Sequence, residues 1–156
     1  MNKQATLKAQ DVVVAIKLAV GIRRFTYVQL SAAVGLAPSQ GHASVKALLQ
    51  SKLLAQNESG DPAINRFRLI DFLIHGVPYM LPPTVTHPTK GVATFSALEE
   101  MKQSFTSQRD YVWPAPGGRD MGVGLMPLHH SVFKAIQDDD ATYRVLIAVD
   151  AIRVGD

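Results

Sequence analysis

TYVQLSAAVGLAPSQGHASVKALLQSKLL, residues 26–54, decides the predicted fold because it contains two short helical segments separated by a tight turn. Thr26 and the Gln three residues later have the spacing of a capping box, so the first helix is predicted to begin directly after Thr26. Gly35 suits the left-handed residue that ends a helix, and Pro38 suits the first turn of the next helix. We therefore expect a helix, a turn and a second helix that runs to about Ser51.

The second helix of this stretch has an apolar side and a polar side. Val45, Leu48 and Leu49 recur at helical spacing and are predicted to face inward. The opposite side is predicted to expose Ser39, Gln40, His42, Ala43 and Lys46. Small and polar side chains of this kind suit a helix that enters the major groove of double-stranded DNA.

Three members of this polar side have specific chemistry for reading DNA. Gln40 can form two hydrogen bonds with adenine, and the methyl group of Ala43 can contact that of thymine. Lys46 is expected to bind a phosphate. Arg23 and Arg24 precede the motif and are interpreted either as contacts to the DNA backbone or as solvated loop cations. Arg66 and Arg68 follow it and can contact phosphate. The full set of predicted DNA-binding residues is Arg23, Arg24, Thr26, Ser39, Gln40, His42, Ala43, Lys46, Arg66 and Arg68.

The segments around the motif are predicted to complete a small domain. Leu7–Gly21 has a wide apolar stripe typical of a helix. After the motif, residues 54–56 and 63–64 are predicted to pair as a hairpin around a run of turn-forming residues. Asn65 can cap a fourth helix that ends near His75. Its predicted inward residues are Leu69, Ile70, Phe72 and Leu73.

This arrangement resembles the winged helix-turn-helix transcriptional regulators, the broad group that includes MarR-like proteins. The resemblance rests on residues 26–54, with a second helix at 26–34, a recognition helix at 38–51 and an apolar Leu53–Leu54 that leads into the hairpin. It departs from the family at Gly41, where an apolar residue is usual, and at Ala37, which is a poor N-cap. Both departures are expected to loosen the start of the recognition helix.

The resemblance implies a mainly α protein with an N-terminal winged helix-turn-helix, formed by a three-helix core and a short β-hairpin, at residues 1–76. It also implies sequence-specific DNA binding as a transcriptional regulator. We expect a homodimer, because one recognition helix provides few base contacts and symmetric half-sites double them. Residues 77–156 are predicted to be a helical, loop-rich region that serves dimerisation or binds a partner or effector.

Within this C-terminal half, prolines and glycines favour irregular structure. Seven of the nine prolines lie there, and the Tyr111–Gly118 and Gly117–Gly124 segments are both predicted to be loops. A short strand is expected within 91–98. Three helices are predicted, at 98–104, 132–137 and 141–153.

Charge is divided unevenly between the two halves. Residues 1–76 contain nine Lys and Arg residues and four Asp and Glu residues. Residues 77–156 contain seven Lys and Arg residues and nine Asp and Glu residues. The basic half would attract phosphates, which supports the DNA-binding prediction.

Two other functions stay open. The first is a protein-interaction adaptor or antitoxin-like partner without a DNA role. The second is a small-molecule sensor with its ligand among Trp113, Tyr111, Met121, Met126 and the pair His129–His130.

Several chemistries are not expected. The chain has no cysteine, which excludes disulfides and thiolate ligands. Ser31, Ser96 and Ser131 lack the strand-turn-helix elbow of a hydrolase, so we predict no enzyme activity. The pair His129–His130 lacks a third ligand at a recognisable spacing, so neither a metal nor another cofactor is predicted. The sequence also lacks a long apolar run and a secretory signal, which predicts a cytoplasmic protein without a membrane role.

Overall fold

A computed structural model describes residues 6–22, 24–96, 98–105 and 107–155 of this 156-residue chain. The chain divides into two compact units. The first consists of Met1–Phe72 and His129–Tyr143, and the second of Leu73–Leu128 and Arg144–Asp156. Within the described ranges, no helix has both the length and the apolar character that crossing a membrane requires.

Three helices begin the described chain, and strands and further helices are interspersed after them. Its first half contains α1 (Ala9–Val20), α2 (Tyr27–Ala33), α3 (Pro38–Gln50), β1 (Leu54–Gln56), β2 (Pro62–Ile64) and α4 (Arg66–His75). The second half contains α5 (Val77–Met80), β3 (Val85–Ala93), α6 (Glu99–Lys102), β4 (Tyr111–Pro114), β5 (Asp120–Leu125), α7 (Val132–Ala135) and α8 (Asp140–Val154).

Local sequence signals set the starts of the N-terminal helices, as predicted. The Oγ1 of Thr26 accepts a hydrogen bond from the backbone N–H of Gln29, whose Oε1 accepts one from the backbone N–H of Thr26. Pro38 is the first residue of α3. The Oδ1 of Asn65 accepts from the backbone N–H of Arg68 at the start of α4. The predicted hairpin also forms, with Leu54 paired to Ile64.

α1 forms the centre of the first unit. Residues Val12–Ile16 are at most 1% exposed, so α1 is buried around its whole circumference. Residues of α3, β2 and α7 pack against α1 and contribute to this burial. The C-terminal segment that contains α7 therefore returns to complete the core around the first helix. Two residues that we predicted to face inward are exposed instead: Leu49 is 36% exposed and Ile70 is 56% exposed.

A buried ion pair joins α1 to this returning segment. The Nζ of Lys17 lies 2.7 Å from the Oδ2 of Asp139 and also donates to the carbonyl oxygen of Ala135. The same carboxylate accepts hydrogen bonds from the backbone N–H and the Oγ1 of Thr142 in the first turn of α8. Burial alone would raise the pKa of Asp139, but the hydrogen bonds from Lys17 and Thr142 and the charge of Lys17 hold it below its ordinary value.

The second unit is built around a closed three-stranded β-barrel. β3 pairs antiparallel with β4 and β5, and β4 and β5 close the barrel through a short parallel pairing. Two glycines permit this tight closure, because a Cβ at Gly91 would overlap the carbonyl oxygen of Trp113 and a Cβ at Gly122 would overlap that of Asp110. The pairing of β3 with β5 shifts between Val85 and Pro88.

The predicted fold class, a mainly α protein with an N-terminal winged helix-turn-helix and a helical, loop-rich C-terminal region, is wrong. A three-stranded sheet follows the N-terminal helices and occupies the C-terminal half. The segments Tyr111–Gly118 and Gly117–Gly124 were predicted to be loops, but they supply β4 and β5. Their glycines and prolines favour turns in isolation, whereas in this barrel the glycines allow close approach of neighbouring backbones.

A buried polar network lies in the core of the second unit. The Nε1 of Trp113 donates to Asp150 at 2.6 Å, and the Nη1 of Arg153 donates to the same carboxylate at 2.8 Å. Arg153 also donates to the carbonyl oxygens of Leu81 and Pro82. Burial raises the pKa of Asp150, although Arg153 and Trp113 oppose this rise. The network fixes α8 against β4 and the segment after α5.

Candidate nucleic-acid interface

α3 presents one continuous polar face to solvent. Its inner side consists of Gly41, Ser44, Val45, Ala47 and Leu48, all of them buried. Its outer side, which we name the α3 face, consists of Ser39, Gln40, His42, Ala43 and Lys46, all of them exposed. The structure therefore brings together the five residues of this helix that were predicted to bind DNA.

The first turn of α3 is held by a member of this face. The Oε1 of Gln40 accepts a hydrogen bond from the backbone N–H of Ala37 at 2.9 Å. This contact satisfies the backbone donor of the same residue that was predicted to be a poor N-cap. While the contact persists, one lone pair of the Gln40 Oε1 is occupied, and the Nε2 remains available as a donor to a base edge.

An aromatic residue of α2 extends the α3 face. The ring centroid of Tyr27 lies 4.7 Å from that of His42, and 43% of Tyr27 is exposed. Tyr27 was absent from the predicted site. Its position at the start of α2, directly after the capping Thr26, was the available signal, because a large side chain in the first turn of a helix often stays near solvent. Its hydroxyl group can donate to a phosphate oxygen.

The inner side of α3 explains why Gly41 is present. Ser31 on α2 is buried, and a Cβ at Gly41 would overlap its Oγ. Among the described residues, this Oγ has no hydrogen-bond partner. Gly41 was predicted to loosen the start of the helix, but it allows α2 and α3 to approach closely at this point.

Replacing Gly41 with Ala tests this packing. Ala gains about 1 kcal/mol of helix propensity over Gly, whereas overpacking a core costs about 1–3 kcal/mol. We expect the clash with Ser31 to prevail and Gly41→Ala to lower the free energy of unfolding. In a Ser31→Ala background the same change is expected to cost about 1 kcal/mol less. Urea unfolding of the wild type, of each single variant and of the double variant measures this coupling. If Gly41→Ala costs the same free energy with Ser31 as with Ala at position 31, the packing argument is contradicted.

The remaining predicted DNA-binding residues have varied surroundings. Thr26 caps α2, as described above. Arg66 uses its Nη2 to donate to the carbonyl oxygen of Ala19 at the end of α1. Arg68 is exposed on α4, and Arg24 is exposed before α2. Arg23 lies outside the described residues.

A cavity of about 530 Å³ lies between the end of α1 and the β1–β2 hairpin. Arg24 and Arg66 both line it, so the structure brings these two predicted residues to one place. Asp61 of the hairpin turn lies in the same lining. The cavity therefore combines charges of both signs and does not form a purely basic surface.

The distribution of acids gives a further signal that the prediction did not use. Residues 12–57 contain five Lys and Arg and no Asp or Glu. This segment includes all of α2, α3 and β1. Of its bases, Lys17 is committed to the buried ion pair with Asp139, whereas Arg24, Lys46 and Lys52 are exposed. A phosphate backbone that approaches α3 meets no carboxylate from this part of the chain.

The histidine pair has a local structural role. The ring centroids of His129 and His130 lie 4.1 Å apart, and the backbone N–H of Ser131 donates to the Nδ1 of His129. Because a backbone N–H can only donate, this Nδ1 acts as an acceptor. Burial lowers the pKa of His129, the neighbouring His130 adds to this effect, and Asp11 opposes it. Within the described part of the chain, no three acidic or histidine residues could hold a metal.

The residues suggested for a sensor site differ in their exposure. Trp113 and Tyr111 are buried core residues of the second unit, at 0% and 4% exposure. Met121 and Met126 are surface residues, at 60% and 44% exposure.

We compared the chain with known protein families, curated proteins and solved structures. No family model, curated protein or solved structure matches the chain.

Proposed function

We propose that this protein binds double-stranded DNA through the α3 face and regulates transcription as a homodimer. The observation that carries the proposal is the α3 face itself, which is continuous, exposed and polar, and which lies in a 46-residue stretch, residues 12–57, without an acid. A helix of 13 residues is long enough to lie in a major groove. A cytoplasmic location belongs to the same proposal.

Each side chain of the α3 face has chemistry that suits one part of DNA. The ammonium group of Lys46 can form an ion pair with a phosphate. Ser39, His42 and the Nε2 of Gln40 can form hydrogen bonds with base edges, and the methyl group of Ala43 can pack against that of thymine. The N-terminal part of this face has no bulky apolar side chain, so the groove can approach the backbone of α3 closely there; Leu49 is exposed only near the end of the helix. Contacts to bases would provide the sequence specificity.

The surroundings of the α3 face support binding to an anionic polymer. The first turn of α3 contains no acid, so the positive end of its dipole is not offset there. Tyr27 and Arg24 are exposed near the start of α2, where they can bind phosphates on either side of the groove. These contacts would make the affinity for DNA fall as salt rises.

A second candidate function is a protein-interaction adaptor without a DNA role. The observation in its favour is the turn between β1 and β2, where Glu58 is exposed and Asp61 is partly exposed. These acids would repel a phosphate backbone at the tip of the hairpin. An adaptor predicts that a second polypeptide co-purifies with the protein and that the protein has no affinity for DNA.

The proposal is tested by replacing Lys46 with Ala and measuring DNA affinity at several salt concentrations. Log affinity falls with log salt, and each lost phosphate contact makes this fall less steep by about 0.9. For Lys46→Ala we therefore expect the magnitude of the slope to decrease by about 1 for each protomer bound. Fluorescence anisotropy of a labelled duplex from the region upstream of the protein's own gene gives this slope. The matched control is Lys102→Ala, because Lys102 pairs with Glu99 in the second unit.

Two results would contradict the proposal. One is the absence of binding by the wild-type protein to both the upstream duplex and an unrelated duplex at low salt. The other is an equal slope for Lys46→Ala and Lys102→Ala, which would show that Lys46 binds no phosphate.

A further inference from the structure

α4 exposes an apolar stripe along its outer side. Phe67 is 84% exposed, Ile70 is 56% exposed and Ile74 is 43% exposed. Leu69 and Leu73 of the same helix are 4% and 7% exposed and form its inner side. α4 therefore has two apolar sides, of which only one is covered by the residues that the structure describes.

The spacing of the stripe is that of a helix that pairs with another helix. Phe67, Ile70 and Ile74 stand at i, i+3 and i+7, which are successive a, d and a positions of a heptad. A single exposed apolar residue is common on protein surfaces, but a contiguous patch with an almost fully exposed Phe marks an interaction surface. The stripe thus requires a partner with a complementary apolar ridge.

The charges beside the stripe identify that partner as a second copy of the chain. Arg66 precedes Phe67 and Asp71 follows Ile70, so they occupy g and e positions five residues apart. In a parallel pair of helices, a g residue faces the e residue five positions later on the other helix. Arg66 of each copy would then face Asp71 of the other. An antiparallel pair would instead place the two Asp71 side chains near one another, where like charges repel.

We propose that two copies of this protein associate through α4, with the helices parallel and in register across a two-fold axis. The stripe residues form the apolar seam, and two Arg66–Asp71 pairs flank it. Arg66 also donates through Nη2 to Ala19, but a guanidinium has five N–H donors and can bind a carboxylate as well. The association rests on the proposed function in naming the interface of its homodimer, although the observations that support this interface come from α4 alone.

Engineered cysteines test the proposed register directly, because the natural chain contains none. In a parallel pair, Phe67 of one copy lies beside Phe67 of the other, so oxidised Phe67→Cys is expected to form a covalent dimer on a non-reducing gel. Tyr79→Cys is the matched control, because Tyr79 is also an aromatic residue that is 84% exposed but lies outside the stripe. We expect this control to stay monomeric on the gel.

A different pattern of crosslinks would overturn the proposal. An antiparallel pair predicts no dimer from Phe67→Cys alone and a dimer from a mixture of Phe67→Cys and Ile74→Cys proteins. Equal crosslinking of Phe67→Cys and Tyr79→Cys would show random collision.

Sedimentation equilibrium without DNA provides the second measurement. The wild-type protein is expected to be a dimer, and Phe67→Glu is expected to be a monomer with an unchanged far-UV circular dichroism spectrum, since Phe67 is outside the core. A monomeric wild type, or a Phe67→Glu variant that remains dimeric, would overturn the proposal. A monomeric wild type would also contradict the homodimer of the proposed function, whereas a dimer that persists in Phe67→Glu would contradict only the α4 interface. Because no DNA is present, neither result bears on contact between DNA and the α3 face.

Discussion

Replacing Asp139 with Asn is expected to lower the free energy of unfolding by about 1–3 kcal/mol, because it removes the charged partner of a buried lysine. Asn keeps the side-chain oxygen that caps α8 but loses the negative charge. Lys17, whose side chain is only 8% exposed, would then keep just the carbonyl oxygen of Ala135 as its partner. The cost therefore comes from an uncompensated buried charge on α1.

A double variant separates this explanation from a loss of packing. Lys17→Met combined with Asp139→Asn removes both charges and keeps a long apolar side chain at position 17. We expect it to be more stable than Asp139→Asn alone, because no ion remains buried without its counterion. Urea unfolding followed by far-UV circular dichroism provides the comparison. A single variant as stable as the wild type, or a double variant less stable than the single one, would contradict this account.

The same ion pair predicts a pH dependence. The pKa of Asp139 is lower in the folded protein than its ordinary value, mainly because hydrogen bonds from Lys17 and Thr142 outweigh the effect of burial. Its contribution to stability is therefore complete above the ordinary pKa of about 4 and is lost as pH falls through the lower folded value. We expect the stability difference between wild type and Asp139→Asn to shrink as the pH falls below about 4.

The sequence was sufficient to predict the local structure of the N-terminal helices. Thr26, Pro38 and Asn65 act within a few residues of their own positions, so their effect on helix starts depends little on the rest of the fold. The exposure of His42 and Lys46 followed from the same local periodicity. These features needed only the helical repeat and the chemistry of helix ends.

The sequence did not reveal features that depend on contacts between distant residues. Gly122 favours a turn by itself, and only the backbone that approaches it shows that it belongs to a strand. Lys17 was not singled out as a buried residue, because its partner Asp139 lies more than a hundred residues later. Ile70 was predicted to face inward because α4 is apolar on two sides, and periodicity alone does not show which side is covered.

The second large expected effect concerns the α3 face. Ala43 is exposed at its centre, so Ala43→Glu adds a negative charge without disturbing the buried side of the helix. A carboxylate held against the phosphate-rich groove costs several kcal/mol of binding free energy, and about 3 kcal/mol corresponds to a loss of affinity of about 100-fold. We expect at least this loss for Ala43→Glu. Its helix propensity is adequate at this position, so the fold should be retained.

The matched control for this variant is Ala141→Glu. Ala141 is exposed in the first turn of α8, where an acidic side chain is compatible with the helix dipole. Both variants change the net charge of the protein equally. A difference between them therefore reports where the charge lies and excludes a general effect of charge on DNA binding.

The most direct test of the central claim is the affinity of wild type, Ala43→Glu and Ala141→Glu for the same labelled upstream duplex, measured by fluorescence anisotropy at one low salt concentration. Our account predicts that Ala43→Glu loses binding by about 100-fold or more while Ala141→Glu remains within about threefold of wild type. Equal affinities of the two variants would show that DNA does not contact the α3 face and would contradict the proposed function.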